Sequence, residues 1–326
     1  MKKIRYIIYA AGLLLVLTTA VSLKYGESAV SWAALGNIFN EPDTLPSLVI
    51  LELRLPRTIA AILAGAALAA AGVILQKLLD NDLASPEILG ISGGAGCAGL
   101  LLLFFAPGYA AMLNAAAFAG AVIAAALICL IAWKRALSPA RLILSGVAIS
   151  AIFSACGGTL LLFNSDSLSR VMEFSLGGFS GRTMEEIYSS LPFFITAFIL
   201  TAMLPRKLDI LSLGGETALA LGVSPGRNRL LAVTAAALAA ATAVSLSGLL
   251  GFVGLMAPHI AGRLLNSRRA DILLLMSVLA GAQLTLTADI LSRILFAPRE
   301  LPCGLLLSAA GALFFLLLLA RQPEEV

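Results

Sequence analysis

The stretch "LRLPRTIAAILAGAALAAAGVILQ" at residues 53–76 joins two arginines to an apolar run of membrane-spanning length. Arg54 and Arg57 flank a Leu-Pro pair, and no charged residue follows from Thr58 to Gln76. A helix needs about 20 apolar residues to cross the hydrocarbon core of a bilayer. The stretch therefore predicts a membrane-spanning helix with two permanent cations in its first turn.

The composition of the whole chain agrees with a membrane protein. Of its 326 residues, 60% are hydrophobic and only 12% are charged, and the mean hydropathy is +0.99. Soluble domains are usually about 25% charged, so this chain could not cover a water-facing surface. The basic pI near 9 fits the Lys and Arg of cytoplasmic loops. No basic run with interleaved aromatic residues appears, and no nucleic acid partner is expected.

Ten apolar runs are long enough to be considered as spans. Eight are clear, and two are weaker: residues 88–106 begin rich in glycine, and residues 252–266 are short and contain Pro258. The clear runs are 7–23, 58–76, 113–133, 142–163, 189–204, 230–250, 272–292 and 304–320. The sequence thus predicts an all-α polytopic membrane protein with about ten transmembrane helices.

The charge distribution predicts the orientation of these helices. An even number of spans places both termini on one side. With cytoplasmic termini, 15 of the 22 Lys and Arg residues lie in inner loops or at inner ends, as the positive-inside rule requires. We therefore expect cytoplasmic N- and C-termini. Because Lys2 and Lys3 precede the first apolar run, a cleaved signal peptide is an alternative for that run.

Small residues dominate many of the predicted spans. Helices in lipid gain little from hydrophobicity and pack by close approach through Gly, Ala and Ser, so a tight bundle is expected. The stretches 57–73 and 229–244 each begin with an arginine and continue into similar Ala-rich sequence, but they enter the membrane from opposite sides. This resemblance hints at an inverted repeat, a common plan of transporters.

The chain has no evident energy source of its own. Its Asp and Glu residues fall in predicted loops or near span ends, and Asp289 precedes Arg293 at the spacing of a favourable helical ion pair. No phosphate-binding G-x-x-x-x-G-K-[ST] motif occurs. The four cysteines are isolated and His259 is the one histidine, so no metal site or cofactor is expected. A transporter of this kind would need a separate protein to supply the energy for transport.

The longest predicted inner loop contains a possible docking element. Residues 205–229 read "PRKLDILSLGGETALALGVSPGRNR", in which "GETALALGV" can form a short helix ended by Gly222 and Pro225. Such a helix can serve as a docking surface for a partner. The residues alone equally allow a simple solvated connector.

Five stretches together resemble the membrane permeases of type II ABC importers for iron–siderophore, haem and vitamin B12. In order they are "LRLPRTIAAILAGAALAAAGVILQ" (53–76), "NDLASPEILGISGGAG" (81–96), "LSLGGETALALGV" (211–223), "GLLGFVGLMAPHIAGRLL" (248–265) and "ADILSRILFAPRELPCG" (288–304). The resemblance implies one transmembrane permease domain, 1–326, in a bacterial cytoplasmic (inner) membrane. It also implies inverted halves near 48–165 and 225–321.

The resemblance also implies partners. They are a second permease copy forming a homodimer with a central pathway, two cytoplasmic ATP-binding subunits, and a periplasmic or lipid-anchored substrate-binding protein. Arg54, Arg57 and Arg293 match arginines that receive glutamates from the two lobes of that binding protein. Bidentate Arg–carboxylate pairs suit such docking. Judged from the residues alone, these arginines could instead anchor a helix at the headgroups.

Further matching positions define a coupling element and a gate. Glu216, Ala220, Leu221 and Gly222 match the coupling helices that sit in a cleft of the ATPase. Asn81 and Leu83 in "NDLASP" match a loop that closes the inner end of the pathway. This chain has Asp82 where the family usually has proline, which should loosen that loop.

The helix predicted over 142–163 is expected to line the pathway. Ser145, Ser150 and Ser154 recur at spacings of five and four, which places them roughly on one face. A face of hydroxyls suits a large hydrated cargo, although small-residue helix packing explains the same pattern.

The sequence therefore predicts the permease of an ATP-driven importer, not an enzyme, for an iron–siderophore complex or a related chelate such as cobalamin or haem. Two alternatives belong to other classes. One is an ion-coupled secondary transporter that acts alone. The other is a rhomboid-like intramembrane serine protease, because "GISG" at 90–93 contains Ser92 and His259 could be its base. The sequence does not identify the cargo.

Overall fold

A computed structural model describes residues 2–26, 31–32, 36, 40, 43–133, 137–163, 172, 174–267 and 269–320. None of these residues forms a strand, and twelve α-helices of six residues or more lie within the ranges. They are α1 (Lys2–Lys24), α2 (Leu55–Leu79), α3 (Ile91–Phe105), α4 (Leu113–Ala132), α5 (Pro139–Phe163), α6 (Met184–Ala202), α7 (Pro205–Leu211), α8 (Gly215–Ala220), α9 (Pro225–Ser247), α10 (Val253–Leu265), α11 (Ala270–Ile294) and α12 (Cys303–Leu319).

Each of the ten predicted apolar runs coincides with one of these helices, and α7 and α8 fall in the predicted inner loop. The all-α polytopic fold is therefore confirmed. Among the described residues, six helical stretches are long and apolar enough to cross a membrane, or seven if α6 and α7, which meet at a 46° bend, form one span. Helices α3 and α12 are apolar but shorter. Ten crossings stay a prediction.

Helices α2 and α9 form the centre of the bundle. A short helix, Leu45–Leu48, and the π-helical Val49–Arg54 lead directly into α2. We compare the most apolar 18-residue window of each span. Buried residues make up 83% of this window in 45–79 and 78% in α9, but only 6% in α1. A helix that is apolar on all sides is suited to such a central position, whereas α1 lies at the edge.

Close contacts between small residues hold the bundle together. Gly65 of α2 faces Gly281 of α11, and Gly72 of α2 faces Gly254 of α10, so closely that a Cβ on any of the four would meet the opposite backbone. Between the first pair, the Thr285 hydroxyl donates to a backbone carbonyl of α2 at 2.7 Å. The predicted tight packing through small residues is confirmed.

Helices α3 and α10 are short because their N-termini lie inside the bundle. Gly90, with φ +73°, immediately precedes α3, and a Cβ there would lie 2.8 Å from the Ser150 nitrogen near the middle of α5. A Cβ on Gly254, in the first turn of α10, would lie 3.0 Å from the Leu68 carbonyl near the middle of α2. The connection 80–90 therefore folds back to half the height of the bundle before α3 begins.

Candidate docking, gating and coupling sites

Two of the three matched arginines, Arg57 at the start of α2 and Arg293 near the end of α11, hold one buried carboxylate. Arg57 donates from Nε to Asp289 Oδ1 at 2.8 Å. Arg293 Nη2 lies 3.0 Å from Asp289 Oδ2, although not aligned for a hydrogen bond. Asp289 is completely buried. The predicted Asp289–Arg293 pair is confirmed, and the fold adds Arg57 to it.

Glu300, in the connection between α11 and α12, forms a second contact with this cluster. Arg57 Nη1 donates to both of its carboxylate oxygens, at 3.0 and 2.8 Å. The Glu300 side chain is 29% exposed, so solvent reaches this carboxylate but not Asp289. Arg57 therefore joins a buried and an accessible acid, and such charge-assisted bonds are stronger than neutral ones.

Arg54 and Arg293 cap the C-terminus of α1. Arg54 Nη1 donates to the carbonyls of Leu23 and Lys24 at 2.9 and 2.6 Å. Arg293 donates to the Ser22 carbonyl at 3.2 Å and to its hydroxyl at 2.7 Å. The last carbonyls of a helix have no partner within the helix, and cations there also favour the helix dipole. The arginines that open α2 and close α11 thus fix the edge helix to the centre.

These groups line one positively charged cavity of about 380 Å³. It is lined by Arg54, Arg57, Arg293 and Glu300, and also by a fourth arginine, Arg182, that the sequence does not single out. Arg182, which precedes α6, also lies 3.5 Å from Glu186. Its one sequence signal is its place in a predicted outer connection. The three matched arginines are brought together, but each is less than a tenth exposed.

The segment after α2 that the sequence predicts as a gate, around Asn81 and Leu83, is an ordered turn. The Asn81 side-chain oxygen accepts from the Leu83 backbone nitrogen at 2.9 Å, and the Asn81 carbonyl accepts from Ala84 at 3.0 Å. Leu83 is 56% exposed and Asp82 is exposed. The side chain of Asn81 thus gives the turn local order, although Asp82 was expected to loosen it, and Leu83 projects from the turn.

Glu87 departs from the expectation that loop carboxylates lie away from the middle of the helices. It belongs to the connection that folds back to half the height of the bundle, and its Oε2 accepts from the Phe252 nitrogen, just before α10, at 3.4 Å. Hydropathy places Glu87 between two runs but contains no information that the connection returns inward.

The three serines of α5 do not share one face. Ser145 is buried and its hydroxyl donates to the Arg141 carbonyl of its own helix at 2.7 Å. Ser150 is partly buried, and Ser154 is exposed. Nine residues turn a helix through about 900°, so Ser145 and Ser154 point in opposite directions. The prediction of a common face is wrong because a spacing of five residues rotates the side chain by about 140°.

The predicted short helix in the inner loop is confirmed as α8. Glu216, Ala220, Leu221 and Gly222 are all exposed, and Leu221 is 57% exposed. Gly222 ends the helix with φ +77°, a conformation that favours glycine. Ala218 alone is buried, so α8 rests on the bundle by one small residue and presents the rest of its surface outward.

The serine protease alternative has no supporting geometry. The Ser92 hydroxyl is buried in the first turn of α3 and has no hydrogen-bond partner among the described residues. The His259 ring instead packs edge-on against Phe314, with centroids 5.6 Å apart. A nucleophile needs a base within hydrogen-bond reach, and these two side chains do not form that bond.

A bundle of apolar helices with a charged cavity at one end, a re-entrant connection and an exposed short helix defines a membrane permease of a transport complex. The chain belongs to the FecCD transport family, whose model matches residues 14–321. It is therefore a transport subunit of the cytoplasmic membrane, one that assembles with separate ATP-binding and substrate-binding proteins.

Full-length relatives and a solved structure agree with this assignment. The chain is 38% identical to the Fe(3+)-citrate import system permease protein YfmE of Bacillus subtilis, covering 96% of this chain and 94% of YfmE. It is 36% identical to the iron(3+)-hydroxamate import system permease protein FhuG of the same organism, over 95% of each chain. A transporter described as a metal-chelate type ABC transporter, in an inward-facing conformation, superposes with a TM-score of 0.87 at 30% identity, covering 98% of this chain and 100% of that one.

Proposed function

We propose that this chain forms the translocation pathway of an ATP-driven importer for a ferric chelate, with an iron–siderophore complex as the first candidate. The observation that supports it most is its similarity, over nearly its whole length, to permeases named for ferric citrate and ferric hydroxamate import. Cobalamin and haem remain related candidates. The cargo would be selected by the substrate-binding protein.

Two copies of the chain would enclose the pathway. The exposed side of α5, which includes Ser154, would face the second copy across it. The iron(3+)-hydroxamate permease FhuB of Salmonella typhimurium supports a paired arrangement, because this chain matches only 45% of FhuB at 38% identity. That relative therefore has room for a second unit of the same size.

The two halves, 48–165 and 225–321, would be inverted repeats of one four-helix unit. In this scheme α2 to α5 correspond in order to α9 to α12. The packing supports the scheme, since α2 packs on α11 as α9 packs on α4, and α3 packs on α4 as α10 packs on α11. A residue with positive φ, Gly90 or Phe252, also precedes the short helix of each half. Termini on the cytoplasmic side would then place the arginine cavity outside.

Arg54, Arg57 and Arg293 would attract carboxylates of the substrate-binding protein to this cavity. Among the described residues, four arginines and one carboxylate, Glu300, line it. Such a field speeds the encounter of complementary surfaces. Because Arg57 and Arg293 also hold Asp289, reversing their charges would place several carboxylates together in a buried site. A substitution of Arg182 tests docking without changing Arg57, Arg293 or Asp289.

At the opposite end, α8 would seat in the ATP-binding subunit, and the gate turn would close the pathway. Exposed Leu221 can fill an apolar pocket of the ATPase, while Ala220 and Gly222 permit close approach. Asn81 and Leu83 would meet their counterparts from the second copy, because Leu83 projects from an otherwise ordered turn.

Reconstitution in proteoliposomes tests the proposal. The permease with its ATP-binding subunit and its substrate-binding protein should accumulate a 55Fe-labelled siderophore only when ATP is supplied, and the permease alone should not. Uphill accumulation by this chain alone, driven by an ion gradient, would refute the importer and support the secondary transporter.

A second experiment tests docking. Arg182→Gln should weaken association of the substrate-binding protein by about fivefold at low salt, which corresponds to about 1 kcal/mol for one charge at the interface. Arg206→Gln, on α7 at the other end of the bundle, is the matched control. Equal association for both variants would contradict the docking role of the cavity.

A further inference from the structure

One carboxylate joins the coupling segment, residues 205–222 with α7 and α8, to two helices of the bundle. Asp209 lies in α7, between α6 and α8. Both of its oxygens accept from the Ala270 backbone nitrogen at 3.1 Å, and Lys77 Nζ lies 3.4 Å from Oδ1. Ala270 is the first residue of α11 and Lys77 is in the last turn of α2. A single side chain of the coupling segment therefore contacts the same end of both helices.

Both contacts are physically favourable. The first N–H groups of a helix have no partner within it, and a carboxylate beside them also favours the helix dipole. Asp209 thus caps α11 from a different element. The Asp209 side chain is 38% exposed, so losing it costs the folded subunit little compared with losing a buried pair. This exposure allows transmission to be tested separately from folding.

The same two helices are joined at their other ends by the arginine cluster. Arg57 of α2 and Arg293 of α11 share Asp289 there, and between the two ends Gly65 and Gly281 bring the backbones into contact. Each helix has 25 residues, or about 37 Å at 1.5 Å per residue. The α2–α11 pair is thus fixed at both ends and packed between them, so it can move as one body.

We propose that Asp209 is the positioning residue through which movement of the coupling segment reaches the α2–α11 pair. Movement of the α2–α11 pair would then reach the arginine cavity at the far end of the two helices. Through the end of α2 it would also reach the gate turn at Asn81. This inference rests on the proposed function, because it takes α8 as the ATPase contact. It adds the side chain that connects this contact with the rest of the permease.

The test uses the complete importer in proteoliposomes and three readouts: basal ATP hydrolysis, its stimulation by the loaded substrate-binding protein, and cargo transported per ATP. Asp209→Ala removes both contacts. It should leave assembly and basal hydrolysis near wild type while stimulation and transport per ATP fall roughly five- to 150-fold, the usual range for coupling between distant sites. Asp209→Asn should be intermediate, because its amide oxygen can still accept from Ala270.

Asp271→Asn is the matched control. Asp271 lies at the same end of α11, but its ion pair is with Arg269 at 2.8 Å, next to it on the surface. It should behave as wild type. Normal stimulation and coupling in Asp209→Ala would overturn the inference. An equal fall of assembly, basal hydrolysis and transport would also overturn it, because that is the result of a merely structural residue. A wild-type complex without stimulation would instead refute the proposed function itself, before any variant is compared.

Discussion

Replacing Asp289 by asparagine should destabilise the subunit severely. The carboxylate is fully buried between Arg57 at 2.8 Å and Arg293 at 3.0 Å, whose side chains are 11% and 3% exposed. Asparagine keeps the volume but removes the charge, so Arg293 stays buried after losing its Asp289 ion pair and Arg57 retains only Glu300. Breaking a buried pair from one side costs about 3–5 kcal/mol. At 1.4 kcal/mol per factor of ten, this changes the unfolding equilibrium roughly 100- to 5,000-fold.

The measurement is unfolding of the purified subunit in mixed micelles with increasing SDS, followed by helical circular dichroism. Asp271→Asn is the control, because the Arg269 and Asp271 side chains are 63% and 48% exposed and such pairs are worth about 0–1 kcal/mol. If Asp289→Asn unfolds within about 1 kcal/mol of wild type, the cluster does not bear on stability and the reasoning from its burial is refuted.

Three further variants probe packing, docking and coupling. Gly72→Ala places a methyl group against the Gly254 carbonyl and should lower the free energy of unfolding by about 1–3 kcal/mol in the same SDS assay. Gly12→Ala, with nothing within 4 Å, should not lower it, and equal effects would argue against close packing at Gly72. Glu300→Gln removes the carboxylate that lines the arginine cavity in the described part of the chain. The substrate-binding protein should therefore associate up to about tenfold faster at low salt and lose this gain at high salt, and a salt-independent rate would contradict steering. Leu221→Ser removes an exposed apolar side chain and should weaken pull-down of the ATP-binding subunit by about 1–3 kcal/mol, and unchanged recovery would contradict its seating in the ATPase.

The two arginines at the start of the stretch 53–76 have different roles in the fold. Arg54 caps α1, and Arg57 joins α2 to α11 through Asp289. Neither role needs a partner protein, so part of the reason for permanent cations at the mouth of an apolar helix lies within the subunit. The docking role is a proposal that adds to these contacts, and the cavity between the arginines is the space in which it would operate.

The sequence by itself determined the features that depend on neighbours within a few residues. Apolar runs of about 20 residues placed the helices, the Gly222 stop closed α8, and the four-residue spacing of Asp289 and Arg293 gave their ion pair. Local rules failed where rotation was misjudged, as with Ser145 and Ser154 on opposite sides of α5. Helical periodicity contains that answer, because each residue turns the helix by about 100°.

Only the tertiary structure decided which distant residues meet. Arg57 and Asp289 are 232 residues apart in the chain, and Asp209 and Ala270 are 61 apart. A hydropathy profile also does not predict that the connection with Glu87 folds back to half the height of the bundle. Such contacts depend on how helices are arranged around one another, and in lipid that arrangement is set by shape and by polar partners rather than by hydrophobicity. A pattern along one helix therefore does not specify its neighbour.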